Sequence, residues 1–325
     1  MSKIIRLIFI FSIFSICQVC YSQKVNFIEY HLKVNEAELA FHNSEFVTAD
    51  SILKSVFDEF GAGFPDDFLF AANNAIKLNN SQLALNYIIQ GFKYGLTIRN
   101  VRNNLIYKAL KHEILTFRFL AKYRKYRKEY INQLNQDIRC QICDMVKEDQ
   151  KYRSSRYDKK PWSEVQPLMK EVDSLNFIRM LEICRLYGFP GSNLVGDDGG
   201  FGCVDVPILL RHMDSVRLKQ LEPYIMTSIQ NGFFEPFAYV SALDYTSMFK
   251  TTIESRDEYG NRILIIQQKY GTITGFDENQ LFIYPVENIE IIDSLRRFYG
   301  LESIEDYALK KGCPAPIQGI YKRIF

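Results

Sequence analysis

At 325 residues, 47% hydrophobic and 24% charged, the chain has the composition of a globular protein with apolar residues for about two domains. Its 40 basic and 38 acidic residues nearly balance. That excludes the strong basic field by which a protein is held to nucleic acid or anionic lipid through bulk charge.

Residues 1–22, MSKIIRLIFIFSIFSICQVCYS, predict a signal peptide. Lys3 and Arg6 form its positive start and Leu7 to Val19 its apolar core. Cys20 and Ser22 are small enough for the −3 and −1 positions of cleavage before Gln23. Ile16 and Val19 are bulkier than lipoprotein processing takes. The expectation is export, to the periplasm or the medium, with no membrane span in the mature chain, since the apolar run is short and no second one follows. Cleavage removes two bases and no acid, leaving 38 of each. Five cysteines remain, an odd number for an oxidising compartment. Cys140 and Cys143 stand one turn apart in a charged helical stretch without a βαβ pattern, so redox or zinc chemistry is not expected from them.

Residues 24–135 predict helices with a repeat of about 35 residues. Ala37 and Ala49 are twelve apart, and Ala72 and Ala84 repeat that spacing; Leu53 maps to Ile88 and Phe57 to Phe92. Small residues where helices cross, with large apolar ones beyond, are what stacked helical hairpins need. The pattern resembles tetratricopeptide repeats, although most of their Trp, Gly, Tyr and Pro signature is absent. Ala109 and Ala121 suggest a third, degenerate hairpin. The resemblance implies a surface for a protein or peptide partner. In RFLAKYRKYRKEY (118–130), tyrosines recur near helical period between cations, which predicts one packing face and a solvated basic one rather than a nucleic-acid surface.

From residue 136 the texture changes. A helix is expected from Trp162 to Tyr187, its apolar side marked by Val172, Leu175, Ile178, Leu181 and Ile183, with Gly188 ending it. The loop FPGSNLVGDDGGFG (189–202) follows, and Asp205 is placed to cap a helix carrying Pro207 in its first turn. Asp197, Asp198 and Asp205 lack the spacing of an EF-hand loop, and no other metal or cofactor motif is present. Further helices are expected over 216–231, 234–248 and 287–310. RILIIQQKYGT and QLFIYPV, either side of TGFDEN, predict a β-hairpin with a longer loop. The fold class is therefore mainly α: tetratricopeptide-like helical hairpins over 24–135, then a helical domain over 136–325 carrying one β-hairpin.

Polar residues that invite a functional reading in the second domain are Asp149, Arg153, Asp173, Asn176, His212, Asp214, Asp244, Gln267, Gln268, Tyr270 and Thr272. His212 is the only histidine beyond residue 112 and lies four after Ile208, so it should turn inward. An inward histidine beside a carboxylate is an acid–base candidate, with Asp149 or Asp244 as partner. Strand alternation puts Leu264, Ile266, Gln268 and Tyr270 on one face, apolar until it reaches an amide and a phenol, as at a pocket mouth.

In order along residues 147–312, EDQKYR (148–153), VDSLN (172–176), YGFPG followed by VG (187–196), RHMD (211–214), QKYGT (268–272) and the run from Pro285 through Asp293 to GLESIEDY (300–307) resemble the bacterial domain-of-unknown-function family 6624. Arg211 and Ile273 stand where that family usually has glutamine. The resemblance implies no activity; it implies that Asp149, Arg153, His212, Gln268, Tyr270 and Thr272 belong to shared motifs. The functional expectation is an exported binding or interaction protein, with Arg153, Gln268, Tyr270 and Thr272 facing a small or peptide ligand. The alternative is a hydrolase or other acid–base enzyme using His212 with Asp149 or Asp244.

Overall fold

The structure is a computed structural model, and it describes residues 26–153, 160–196, 203–251, 255–256, 262–277, 280–319 and 321–324. The expected signal peptide, and Asp197 and Asp198 of the glycine-rich loop, lie outside the described residues.

Four helices build two hairpins: α1 Phe27–His42, α2 Phe46–Phe60, α3 Pro65–Lys77 and α4 Ser81–Lys93. Local chemistry sets their ends. Asn26 caps α1 by accepting from the Ile28 amide, and Asn80 caps α4 through the Leu83 amide. Gly61, at φ 61°, closes α2 in the left-handed conformation. Ala37, Ala49, Ala72 and Ala84 are all 0% exposed, as the 35-residue pattern requires, and Leu53, Ile88 and Phe92 share that full burial. Each such large side chain contributes roughly 1.5–3 kcal/mol. Two buried polar contacts join the hairpins: Tyr87 donates to Asp50 at 2.9 Å and Asn74 to the Phe46 carbonyl at 2.9 Å.

The regularity then decays. After α5 Ile98–Asn103 and α6 Ile106–Ile114, which kinks at Leu110, comes the long α7 Phe117–Gln133. Ala109 and Ala121 are exposed, so they do not form the third crossing expected of them. Leu110, Ile114 and Phe119 fill the core instead. On α7, Tyr123 packs edge-on against Phe92 and Tyr126 lies under Lys93, while Arg118, Lys122, Arg124, Lys125 and Lys128 are exposed. This is the packing face and solvated basic face predicted for that stretch.

The second domain is built on α8 Gln136–Lys151, α9 Trp162–Tyr187, α10 Val206–Arg211, α11 Ser215–Gln230 and α12 Pro236–Thr251, with α13 Ile292–Phe298 and α14 Ile304–Lys311 at its far end. Asp205 caps α10 through the Ile208 amide, and Asp214 caps α11 through the amides of Val216 and Arg217. On α9 the buried residues are Val165, Val172, Asn176, Met180, Ile183 and Cys184. Leu175 and Ile178, expected on the inner side, are 44% and 60% exposed. The helix instead buries the stripe Val172, Met180, Ile183 and Cys184, and Asn176 on that face donates to the Met145 carbonyl of α8. Cys143 of α8 is bonded to Cys203, fastening α8 to the segment before α10, while Cys140 is exposed and free.

The strands are β1 Ser255–Arg256, β2 Arg262–Ile266, β3 Thr274–Asp277, β4 Gln280–Ile283 and β5 Tyr321–Ile324. The tight hairpin is β3–β4, so TGFD, expected in the loop, is itself the first arm. The β2 strand pairs instead with β1 and with β5, fifty-odd residues later, a pairing that local pattern does not specify. The fold is otherwise mainly α with a small β component, as its periodicities dictate. The α1 helix joins the two domains: Ile28 enters the second core, Asn35 donates to the Gly300 carbonyl, and Lys310 of α14 pairs with Glu38.

Candidate functional site

Asp149 lies in the last turn of α8, Arg153 just beyond it, Asp173 on α9, and His212 at the C-cap of α10. Three distant segments of the sequence thus meet. His212 Nδ1 is 2.8 and 3.0 Å from the two Asp149 oxygens. Arg153 donates through Nη1 to Asp149 Oδ1 at 3.2 Å, and through Nη2 to both Asp173 oxygens at 2.7 and 2.8 Å. Gln150 donates to Asp149 Oδ2 at 2.6 Å. Asp149 is 1% exposed, whereas the His212 side chain is 16% exposed. The carboxylate is therefore an interior anchor, and the imidazole lies between it and the surface.

A carboxylate only accepts, so its contact with Nδ1 places a proton there, and in the neutral ring Nε2 is then the acceptor. Among the described residues no hydrogen bond engages Nε2. His212 forms one wall of a cleft of about 530 Å³ with Arg153, Trp162, Met169, Arg211, Tyr245 and Thr246. Burial pushes the Asp173 carboxyl above its ordinary range, opposed by the Arg153 guanidinium. Asp149, Asp173 and His212 offer ligand atoms within 4.8 Å of one another. A cation could take such a site, but Arg153 already bridges the two carboxylates, and a metal ion would have to displace that guanidinium.

The expected pocket mouth at residues 268–272 is corrected. Ile266, Gln268 and Tyr270 are buried together, although β2 itself ends at Ile266 and the two polar residues lie in the turn beyond it. Their face ends in the core. Gln268, at 0% exposure, donates to the carbonyls of Ile273 and Tyr284 and accepts from the Ile273 amide. Asp244 is also 0% exposed and gathers the loop around itself. It accepts from the amides of Lys269, Tyr270 and Thr272 and from the Thr272 hydroxyl, all at 2.8–2.9 Å. Burial pushes its carboxyl upward, and these four donors oppose that shift. A carboxylate so surrounded holds a turn and reaches no substrate. Gly271, at φ 74°, makes the turn; a Cβ there would meet Ile304 Cδ1 at 2.5 Å.

The same knot takes in Arg296, which is 0% exposed. It donates to the carbonyls of Tyr270 and Glu302 and lies 4.8 Å from the Tyr307 ring centroid. The motifs therefore divide. EDQKYR, VDSLN and RHMD converge on the cleft, while QKYGT and GLESIEDY build a structural joint. The α12 helix joins the two, since Asp244 holds the loop and Thr246 donates to the Met213 carbonyl beside His212. Of the expected site residues, Asp149, Arg153 and His212 come together, and Asp244, Gln268, Tyr270 and Thr272 do not join them. Trp162, Met169 and Tyr245 are cleft walls that no motif marks, the chain's single tryptophan being the one local signal for them.

Compared with known proteins, no family model, no curated protein and no solved structure matches the chain. The resemblance to family 6624 thus rests on its short motifs alone.

Proposed function

We propose that this is an exported ligand-binding protein whose second domain takes a small molecule in the cleft at His212. One observation carries the reading: a hydrogen-bonding imidazole is held by a buried Asp149 carboxylate at the wall of a cleft that also exposes an indole. The ligand presents a hydrogen-bonding group to Nε2 and an apolar body to Trp162 and Met169. The Cys143–Cys203 bond supports export, because such bonds persist in oxidising compartments. The repeats, tetratricopeptide-like in their alanine spacing, serve as a partner surface, and the family-6624 motifs belong to the cleft and its supporting joint.

A second reading is favoured by the dyad itself. An Nδ1–carboxylate contact with Nε2 free is the arrangement of a general base, with water or a substrate hydroxyl as the group deprotonated. The test is a small-molecule screen read by Trp162 fluorescence and thermal shift, with hits repeated on His212→Gln. Binding is expected to be lost in the variant while circular dichroism is unchanged; equal binding by both proteins would refute the site. Mass spectrometry of each hit after incubation separates the readings. Chemical conversion that His212→Gln abolishes assigns catalysis, and an unaltered ligand assigns binding.

A further inference from the structure

The chain's charges balance in bulk, but its cations are not evenly spread. Residues 99–128 carry ten lysines and arginines and a single carboxylate, Glu113. Of the 38 bases and 38 acids beyond residue 22, that leaves 28 and 37 elsewhere. Nine of the ten cations are exposed; Arg127 is half-buried and donates to the Gly95 carbonyl at 3.2 Å. The segment spans α5, α6 and the greater part of α7. Among the described residues, Lys108, Lys111, Arg118 and Lys122 have no ion-pair partner. Charge concentrated in this way sets up a local field that the whole-chain balance conceals.

Large apolar side chains project among these cations. On α6, Ile106, Leu110 and Ile114 fill the core, so Leu105, Lys108, His112 and Leu115, spaced at i, i+3, i+7 and i+10, turn outward. On α7 the inner face is taken by Phe119, Tyr123, Tyr126 and Tyr130, and the outer one by Phe117, Ala121, Arg124 and Lys128. Leu105 is 79% exposed, Leu115 44% and Phe117 81%. Leu115 and Phe117 stand at the tip of the α6–α7 turn, with Lys111 one turn before them and Arg118 directly after. Apolar side chains standing out of a basic surface are what a protein presents to the interface of an anionic bilayer. A surface for nucleic acid would offer aromatic faces to the bases, and here Tyr123 is packed on Phe92 and Tyr126 lies under Lys93.

We propose that the outer surface of α6 and α7 is a peripheral membrane-binding face for an anionic phospholipid bilayer. Leu115 and Phe117 enter the boundary between headgroups and acyl chains, and Lys108, Lys111, Arg118 and Lys122 meet lipid phosphates around them. The chain then lies on the bilayer without spanning it. That agrees with the absence, among the described residues, of a helix long and apolar enough to cross a membrane.

The experiment sediments the full chain with vesicles of phosphatidylcholine alone and of phosphatidylcholine with about one-third phosphatidylglycerol, at about 0.1 M salt. Binding is expected to be tighter to the anionic vesicles by about tenfold or more. Each cation near the surface contributes about fivefold, so Lys111→Gln with Arg118→Gln should weaken binding about twentyfold. The same loss of charge placed elsewhere, at the exposed Lys77 and Lys219 (both to Gln), should leave binding near that of the wild type. Leu115→Ser with Phe117→Ser alters only exposed side chains, so it should keep the wild-type circular dichroism and bind anionic vesicles about tenfold more weakly. Equal binding to the two kinds of vesicle, no binding to either, or equal losses in the two charge variants would overturn the proposal. So would full vesicle binding by the folded Leu115 and Phe117 variant, which would reduce the face to a general polyanion surface. A single-stranded oligonucleotide bound equally by the wild type and that variant, with vesicles bound by neither, would assign the face to nucleic acid instead.

Discussion

Replacing Asp149 by asparagine isolates the anchor of the cleft. The substitution keeps the side chain's shape but removes the charge and one acceptor oxygen, and turns an NH₂ toward the donors His212 Nδ1, Arg153 Nη1 and Gln150 Nε2. Breaking a buried pair by deleting one partner costs roughly 3–5 kcal/mol. Arg153 keeps both of its bonds to Asp173, so the lower end, about 3 kcal/mol, is expected here. At about 2–4 °C per kcal/mol, the transition of the second domain should fall by roughly 6–12 °C. Trp162 reports it selectively, being the only tryptophan in the chain and a wall of the same cleft. The control is Asp144→Asn, five residues earlier on the same helix. There the carboxylate is 68% exposed and paired with Lys147 at 3.1 Å, an arrangement worth well under about 1 kcal/mol. Equal losses in the two variants, or none in Asp149→Asn, would show that the buried network does not hold the cleft.

Asp244→Asn should destabilise by about 2–4 kcal/mol, because the new NH₂ faces donors that are left unpaired in the core. Faster hydrogen exchange at the Thr272 amide is the diagnostic readout, and unchanged protection would count against the joint. Where α1 meets α3, burial raises Asp67 from 3.8 to about 7 and lowers His31 from 6.5 to about 3. The raised acid favours folding below about pH 4 and loses that contribution as pH climbs toward 7. The depressed base favours folding above pH 6.5 and loses its contribution as pH falls toward 3. The two slopes oppose each other between about pH 4 and 6.5, so urea midpoints of the wild type should vary little there. Asp67→Asn should become less stable on acidification and His31→Leu less stable on alkalinisation; parallel profiles in all three proteins would refute the assignment.

What the sequence determined on its own is whatever depends on neighbours within a few turns. The four alanines at zero exposure, the Asp205 cap and the tyrosine face of α7 follow from helical periods and from capping chemistry. They were legible because each needs only one element and its immediate partner. The third hairpin was misplaced because apolar residues one position away, such as Leu110, compete for the same core once the helix kinks. The inner side of α9 was misread for a related reason. Leu175 and Ile178 look like core residues, but Val172, Asn176, Met180 and Ile183, spaced at i, i+4, i+8 and i+11, take the inner face.

Tertiary structure alone decided which polar residues meet. Asp149 and His212 are 63 residues apart, and nothing local distinguishes Asp149 from Asp244 as the histidine's partner. The difference is which donors surround each carboxylate. Asp244 meets three amides and a hydroxyl, which consume it in a turn; Asp149 meets a histidine at the edge of a cleft. Burial of a charged group is stabilising only with partners in place, and those partners arrive from α9, α10 and the 268–272 loop when the core closes. Alternation could therefore mark Gln268 and Tyr270 as inward, but only packing showed that they lie in a turn beyond the strand and that inward leads to the core and not to a ligand.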